Sequence, residues 1–169
     1  YKSKRKFAGI FINGNRRGSI MITNRLKKLL LENNIAIDYK ISPTEFSTKK
    51  DFIINLYRSK GYEQINDSLI LFLGYFLNKS FSARGNNIDF TLEKVLTSNN
   101  KGHYSYIESS FDLKNLIPFA MVYDDYYTLV IGEDNRVYAE GFELLLYGSD
   151  PFEALENLLQ GTPIETFKL

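Results

Sequence analysis

Residues 117–161 read IPFAMVYDDYYTLVIGEDNRVYAEGFELLLYGSDPFEALENLLQG, a succession of strand-like runs closed by a helix. Ile117 to Tyr123 and Tyr126 to Ile131 are runs of β-branched and aromatic residues. Arg136 to Tyr138 is a third such run, set off by the turn formers Gly132-Glu133-Asp134-Asn135. A short segment bounded by Gly141 and Gly148 follows, and then the period changes. Asp150 stands at an N-cap, Pro151 at the first helical position and Glu153 at the third, which makes a capping box whose carboxylates also suit the helix dipole. Phe152, Leu155, Leu158 and Leu159 form one apolar stripe, and Gly161 stands where a left-handed residue would end the helix. Strands closed by one punctuated amphipathic helix predict an antiparallel sheet with that helix on it.

Upstream of this module the period is helical. Asn24 is placed to cap a helix with Leu26, Leu29 and Leu30 on one stripe, stopped by Asn33 and Asn34. Ser47 is placed to cap a second, with Phe52, Ile53 and Leu56 inward, Lys60 in its last turn and Gly61 beyond. A third begins at Asn66 or Asp67 and repeats Leu69, Phe72, Leu73, Phe76 and Leu77 at helical intervals, so it is the central helix and its phenylalanines are core. Ile88 and Phe90 suggest a short strand, Thr91 caps a brief helical turn, and Asn99 to Ser110 reads as a polar loop holding the lone histidine, His103. The fold class is therefore α+β, with N-terminal helices, a central and mostly antiparallel sheet, and a C-terminal helix packed on that sheet, in one domain over residues 1–169.

Composition narrows the chemistry. A chain of 169 residues is long enough to take about 70% of its unfolded surface out of water. It has no Cys, which removes disulfides and thiolate metal sites, and one His, which removes a His-based metal cluster. No cofactor and no metal are expected. The longest apolar stretch, Leu69 to Leu77, is interrupted by Gly74 and is about half of what a bilayer span needs, so no membrane partner is expected. A soluble, cytoplasmic protein is the expectation.

Charge is unevenly spread. Residues 1–100 carry 17 Lys/Arg and 8 Asp/Glu, a net +9, while residues 101–169 carry 4 and 12, a net −8. An acidic docking surface in the last third fits this split, and so does plain packing of opposite halves. The stretch NGNRRG, which holds Gly14 and Gly18, lacks the lysine of a phosphate loop and reads as a solvated turn. Lys2, Lys4, Arg5, Lys6, Arg16 and Arg17, with Phe7 and Phe11 among them, leave nucleic-acid binding as the alternative, and it is the weaker one.

The string YYTLVIGEDNRVYAEGFELLLYGSDPFEALENLLQG resembles the end of the SUKH superfamily, in its third subfamily of bacterial immunity proteins. A strand, a Gly/Glu/Asp turn, an Arg-Val-Tyr strand, a Leu-x-x-Gly segment and a Glu-Ala-Leu helix follow one another there. Ala8-Gly9 ahead of Gly14 and Arg16, LILFLGYF after Gly61-Tyr62, IDFTLEKVL and Leu116-Ile117-Pro118 are similar to earlier pieces in the same order. The chain departs where Phe11 replaces an expected Trp, where Leu77-Asn78 replaces a Gly-Gly pair, and at 19–41, which looks inserted.

The resemblance implies a non-enzymatic cytoplasmic protein that binds the C-terminal effector domain of a cognate polymorphic toxin, often a nuclease. Eight residues are the richest candidates for that contact: Asp124, Asp125, Tyr126, Tyr127, Glu133, Asp134, Glu140 and Glu143. A regulatory interaction scaffold is a further alternative. Alternate strand residues face a core, so about half of the eight are expected to be buried.

Overall fold

The computed structural model describes residues 22–168, and the basic N-terminal run with the Gly14 to Gly18 turn lies outside them. The elements run α1 Asn24–Glu32, α2 Pro43–Ser59, α3 Asp67–Phe76, β1 Ser80–Ala83, β2 Asn86–Asp89, α4 Leu92–Ser98 and α5 Lys101–Phe111. They continue as β3 Ile117–Val122, β4 Tyr127–Ile131, β5 Val137–Glu140, β6 Glu143–Gly148, α6 Pro151–Gln160 and β7 Glu165–Lys168. The fold is α+β, as the sequence pattern predicts. The strands form one sheet in chain order, β1 to β7, with every neighbouring pair antiparallel.

The sheet is covered on both faces, because its central strands are apolar at both parities. Leu129, Ile131, Val137, Ala139, Leu145 and Tyr147 point to one side and join Leu26 and Leu30 of α1, Ile53 and Tyr57 of α2, and α3 with α6. The alternate residues Val130, Tyr138 and Leu144 point to the other side, where Tyr104 and Ile107 of α5 cover them, with Phe111 and Phe167 at the margin. β3 and β5 are buried along their whole length, which is why residues 117–122 read as a continuous run rather than an alternating one.

α3 is apolar nearly all round and lies at the centre of the larger core. The Phe72 ring is 4.6 Å from Phe76, 5.2 Å from Phe152, 5.4 Å from Phe90 and 6.0 Å from Phe119, so one side chain gathers rings from α6, β3 and the β2–α4 junction. Edge-to-face and offset pairs of this kind add to plain area burial. Tyr57 closes α2 onto the sheet by donating its hydroxyl to the Pro118 carbonyl at 2.7 Å, beside the point where the β3–β4 register shifts. Burial holds that hydroxyl protonated and so a donor, its pKa lying well above the usual tyrosine value.

Several boundaries differ from the sequence reading. α1 is capped by Thr23, whose oxygen accepts from the Leu26 N–H, while its hydroxyl donates to the buried Glu156 of α6. α2 starts at Pro43 under a Ser42 cap, a turn earlier than a Ser47 cap would place it, so its inner face carries Ile53 and Tyr57 while Phe52 is exposed. Asn99 to Ser110 is a loop only at its start. Asn100 caps α5 through the Gly102 N–H, and the helix survives a polar outer face because Tyr104 and Ile107, three residues apart, anchor it to the sheet. β1 and β7 are short edge strands with no apolar run to announce them.

α6 forms as read. Asp150 accepts from the N–H groups of Phe152 at 2.8 Å and Glu153 at 3.0 Å, Glu153 reaches back to the Ser149 N–H at 2.7 Å, and Gly161 ends the helix at φ 73°. Asp150→Ala is therefore expected to lower unfolding stability by about 1 kcal/mol in urea titration with the slope unchanged, and Asp150→Ser to recover most of it.

Candidate interaction surface

Two hairpin turns meet at one end of the sheet. The β3–β4 turn runs from Tyr123 to Tyr126 and the β5–β6 turn holds Gly141 and Phe142. Gly141 lets them touch: a Cβ there would lie 2.7 Å from the Tyr126 carbonyl and 2.7 Å from the Tyr127 ring, too close for any other residue without displacing the turn. Across that contact Phe142 packs on Tyr126, with centroids 6.2 Å apart and planes 32° apart, and on Tyr127 edge-on at 6.3 Å. Neither outer ring is covered. Phe142 is 79% and Tyr126 67% exposed, far outside the pattern of the large aromatics in the core.

The β3–β4 turn is held in an unfavourable backbone shape. Tyr123, Asp124 and Asp125 take φ of 53°, 54° and 68° in succession, left-handed values that non-glycine residues rarely adopt singly. Side chains hold it there. Lys94 of α4 lies 2.9 Å from Asp125 and 2.9 Å from Asp89 at the end of β2, so one ammonium ties the turn to the next strand. The Tyr123 and Tyr147 hydroxyls share a hydrogen bond, and Tyr123 meets Tyr127 edge-on at 5.6 Å. Burial, then the Tyr123 bond, raises the Tyr147 pKa, so it enters that pair protonated. Strain maintained by so many contacts is characteristic of sites that are shaped in advance for a partner.

A second set of contacts fixes the other flank. Glu140, at the end of β5 and nearly buried, bonds the His103 ring at 3.0 Å, which docks α5 beside Gly141. Opposite it in the register, Thr128 donates to Asn99 at 3.1 Å, and the buried Tyr104 hydroxyl donates to the same oxygen at 3.1 Å. Tyr104 is pushed up by burial first and by the Glu140 charge second, so it too remains a donor. Among the described residues no group of three or more His, Cys, Asp or Glu is placed to hold a metal ion. No helix among them is long and apolar enough to cross a membrane.

The eight residues singled out from sequence fall into two groups. Asp124, Asp125, Tyr126, Tyr127, Glu140 and Glu143 lie around the tip just described. Glu133 and Asp134 lie in the β4–β5 turn at the other end of β4, five residues away, so the groups are roughly 17 Å apart. There Asp134 caps its own turn by accepting from the Arg136 N–H at 3.1 Å, and Asn135 bonds Asn66 and Ser68 of the α3 start. Of the eight, Glu140 is buried, Tyr127 and Glu143 are half-buried and the rest are exposed, fewer buried than alternation implies because most sit in turns. Phe142 and Lys94 escaped the sequence reading, and His103 reads there only as a loop residue. An aromatic directly after a turn glycine was the available signal for Phe142; the other two depend on folds of the chain that no spacing reveals.

Asp89 links this surface to acid stability. Burial acts to raise its pKa, but hydrogen bonds from Lys94 and from the Thr91 side chain and N–H outweigh it, and the net position is below the ordinary carboxylate value. A lowered native pKa contributes stability above the unfolded value near about 4 and loses it as pH falls through the native one. Lys94→Met is expected to cost about 1–2 kcal/mol at neutral pH, between the limits for exposed and buried pairs, with the gap to the parent closing below about pH 4 in denaturation midpoints.

Comparison of the chain with family models, with curated proteins and with solved structures gives no match.

Proposed function

We propose that this protein acts by occupying the surface of another protein, and that its partner is the effector domain of a cognate bacterial polymorphic toxin, which it neutralises in the cytoplasm. The observation that supports a binding role is the exposed Tyr126–Phe142 pair, Tyr126 standing on a turn held in a strained shape and Phe142 on the turn packed against it. Large rigid rings contribute contact area at little entropic cost, and a turn already fixed spares the ordering penalty that weakens loop-mediated binding. The resemblance of residues 117–161 to SUKH immunity proteins supplies the class of partner.

Charge favours the same end of the molecule. Asp124, Asp125, Glu140 and Glu143 surround the rings, and a nuclease or other nucleic-acid-targeting effector must present a basic surface to phosphates. Binding over that surface blocks substrate without any chemistry by the inhibitor. The tip group thus replaces the full set of eight as the docking surface, with Glu133 and Asp134 outside it.

Co-expression with the adjacent toxin gene's effector domain is expected to give a stoichiometric complex that abolishes effector toxicity. The paired change Tyr126→Ala and Phe142→Ala is expected to weaken capture by 100-fold or about 3 kcal/mol, in keeping with the loss of central aromatic contacts, while thermal stability stays near the parent's. Unchanged capture by that folded variant would place the docking surface elsewhere.

A further inference from the structure

The carboxylates at the tip differ in how they are engaged. Asp125 is paired with Lys94 and Glu140 with His103, while Glu143 stands near Tyr127, whose pKa burial and then the Glu143 charge raise. Asp124 has no partner among the described residues, although it stands exposed at the centre of the strained turn. It is two residues from Tyr126 in the same turn, and the exposed Tyr126 and Phe142 rings lie with centroids 6.2 Å and planes 32° apart.

We propose that this tip is a receptor for an arginine side chain on a basic protein surface, the guanidinium lying against the exposed Tyr126 and Phe142 rings and forking onto Asp124. The proposal rests on the protein-binding reading above and names the chemistry of that partner. An apolar partner would strand the Asp124 charge without a counter-ion, which is costly once water is excluded. A phosphate-bearing partner meets Asp124 with no cation beside it and Asp125 already sharing Lys94 with Asp89, so its charge is repelled at this end. A lysine satisfies charge but cannot lie flat on a ring, whereas a guanidinium is planar, weakly hydrated and matched to a carboxylate by two parallel N–H donors. Cation–ring attraction operates within about 6 Å of a centroid, a range both exposed rings offer.

The surrounding ion pairs set the selectivity. Lys94 and His103 already answer the carboxylates that would otherwise recruit any cation, leaving one acidic group beside the rings instead of a diffuse acidic patch. Recognition then requires a charge and a plane together.

The test uses a short Gly/Ser peptide carrying two arginines, with lysine and citrulline counterparts, titrated into the labelled protein and followed by amide chemical shifts. The arginine peptide is expected to shift residues 123–127 and 141–143, the lysine peptide to bind about tenfold more weakly, and the citrulline peptide to leave the tip unshifted. Asp124→Asn should weaken the arginine peptide severalfold, and Tyr126→Ala with Phe142→Ala should remove its shifts. Equal response to citrulline, or arginine-dependent shifts lying elsewhere, overturns the proposal. Its failure is separable from failure of the functional reading: if the ring variant still loses the effector domain while the arginine peptide ignores the tip, the docking surface stands and only the arginine chemistry falls.

Discussion

Burial of the sheet on both faces is the constraint from which the rest follows. A sheet with one wet face has a broad surface on which to build a site, but here β3 and β5 have none. α1, α2, α3 and α6 take one side and α5 the other. What remains for another molecule is the outer side of the helices and the ends of the hairpins. The two ends are not equivalent. At the β4–β5 end the turn is tied to the start of α3 through Asn135, whereas at the β3–β4 and β5–β6 end two large rings point outward with nothing over them.

The shape of that end is set far from its tip. Lys94 belongs to α4 and reaches across to Asp89 and Asp125, and His103 belongs to α5 and reaches Glu140, so the two helices inserted between β2 and β3 act as braces for turns that come later in the chain. Gly141 supplies the close approach between turns. The left-handed run from Tyr123 to Asp125 is tolerated because a hydroxyl pair, an edge-on ring and an ion pair act on it at once. Each residue in such a conformation costs on the order of 1 kcal/mol, an amount that several converging contacts readily offset.

Where local chemistry decides structure, the sequence is legible. Asp150, Pro151, Glu153 and Gly161 mark both ends of α6 without reference to anything else, and the turn residues 132–135 separate β4 from β5. Periodicity located the centre of α3 because seven of its ten residues are buried and its apolar surface wraps the helix. α5 was illegible for the opposite reason: it shows two inward residues and a polar remainder, and only the far-off Val130, Tyr138 and Leu144 make that a helix rather than a loop. β1 and β7 gain their definition from one neighbour each. The acidic and aromatic character of the candidate surface could be read, but its division into two ends could not, since Asp124 and Asp134 look equivalent until the register of β4 is known.

The claim at the centre is that contact with another macromolecule is made by the joined β3–β4 and β5–β6 turns. Hydrogen–deuterium exchange on the chain, alone and in complex with the effector domain proposed as its partner, tests this. Slowed exchange concentrated in residues 123–126 and 141–142, with the already protected strands β3 to β6 unchanged, is the expected pattern. Slowing centred on residues 132–136 or on the outer face of α5, with the tip exchanging as in the free protein, would contradict it.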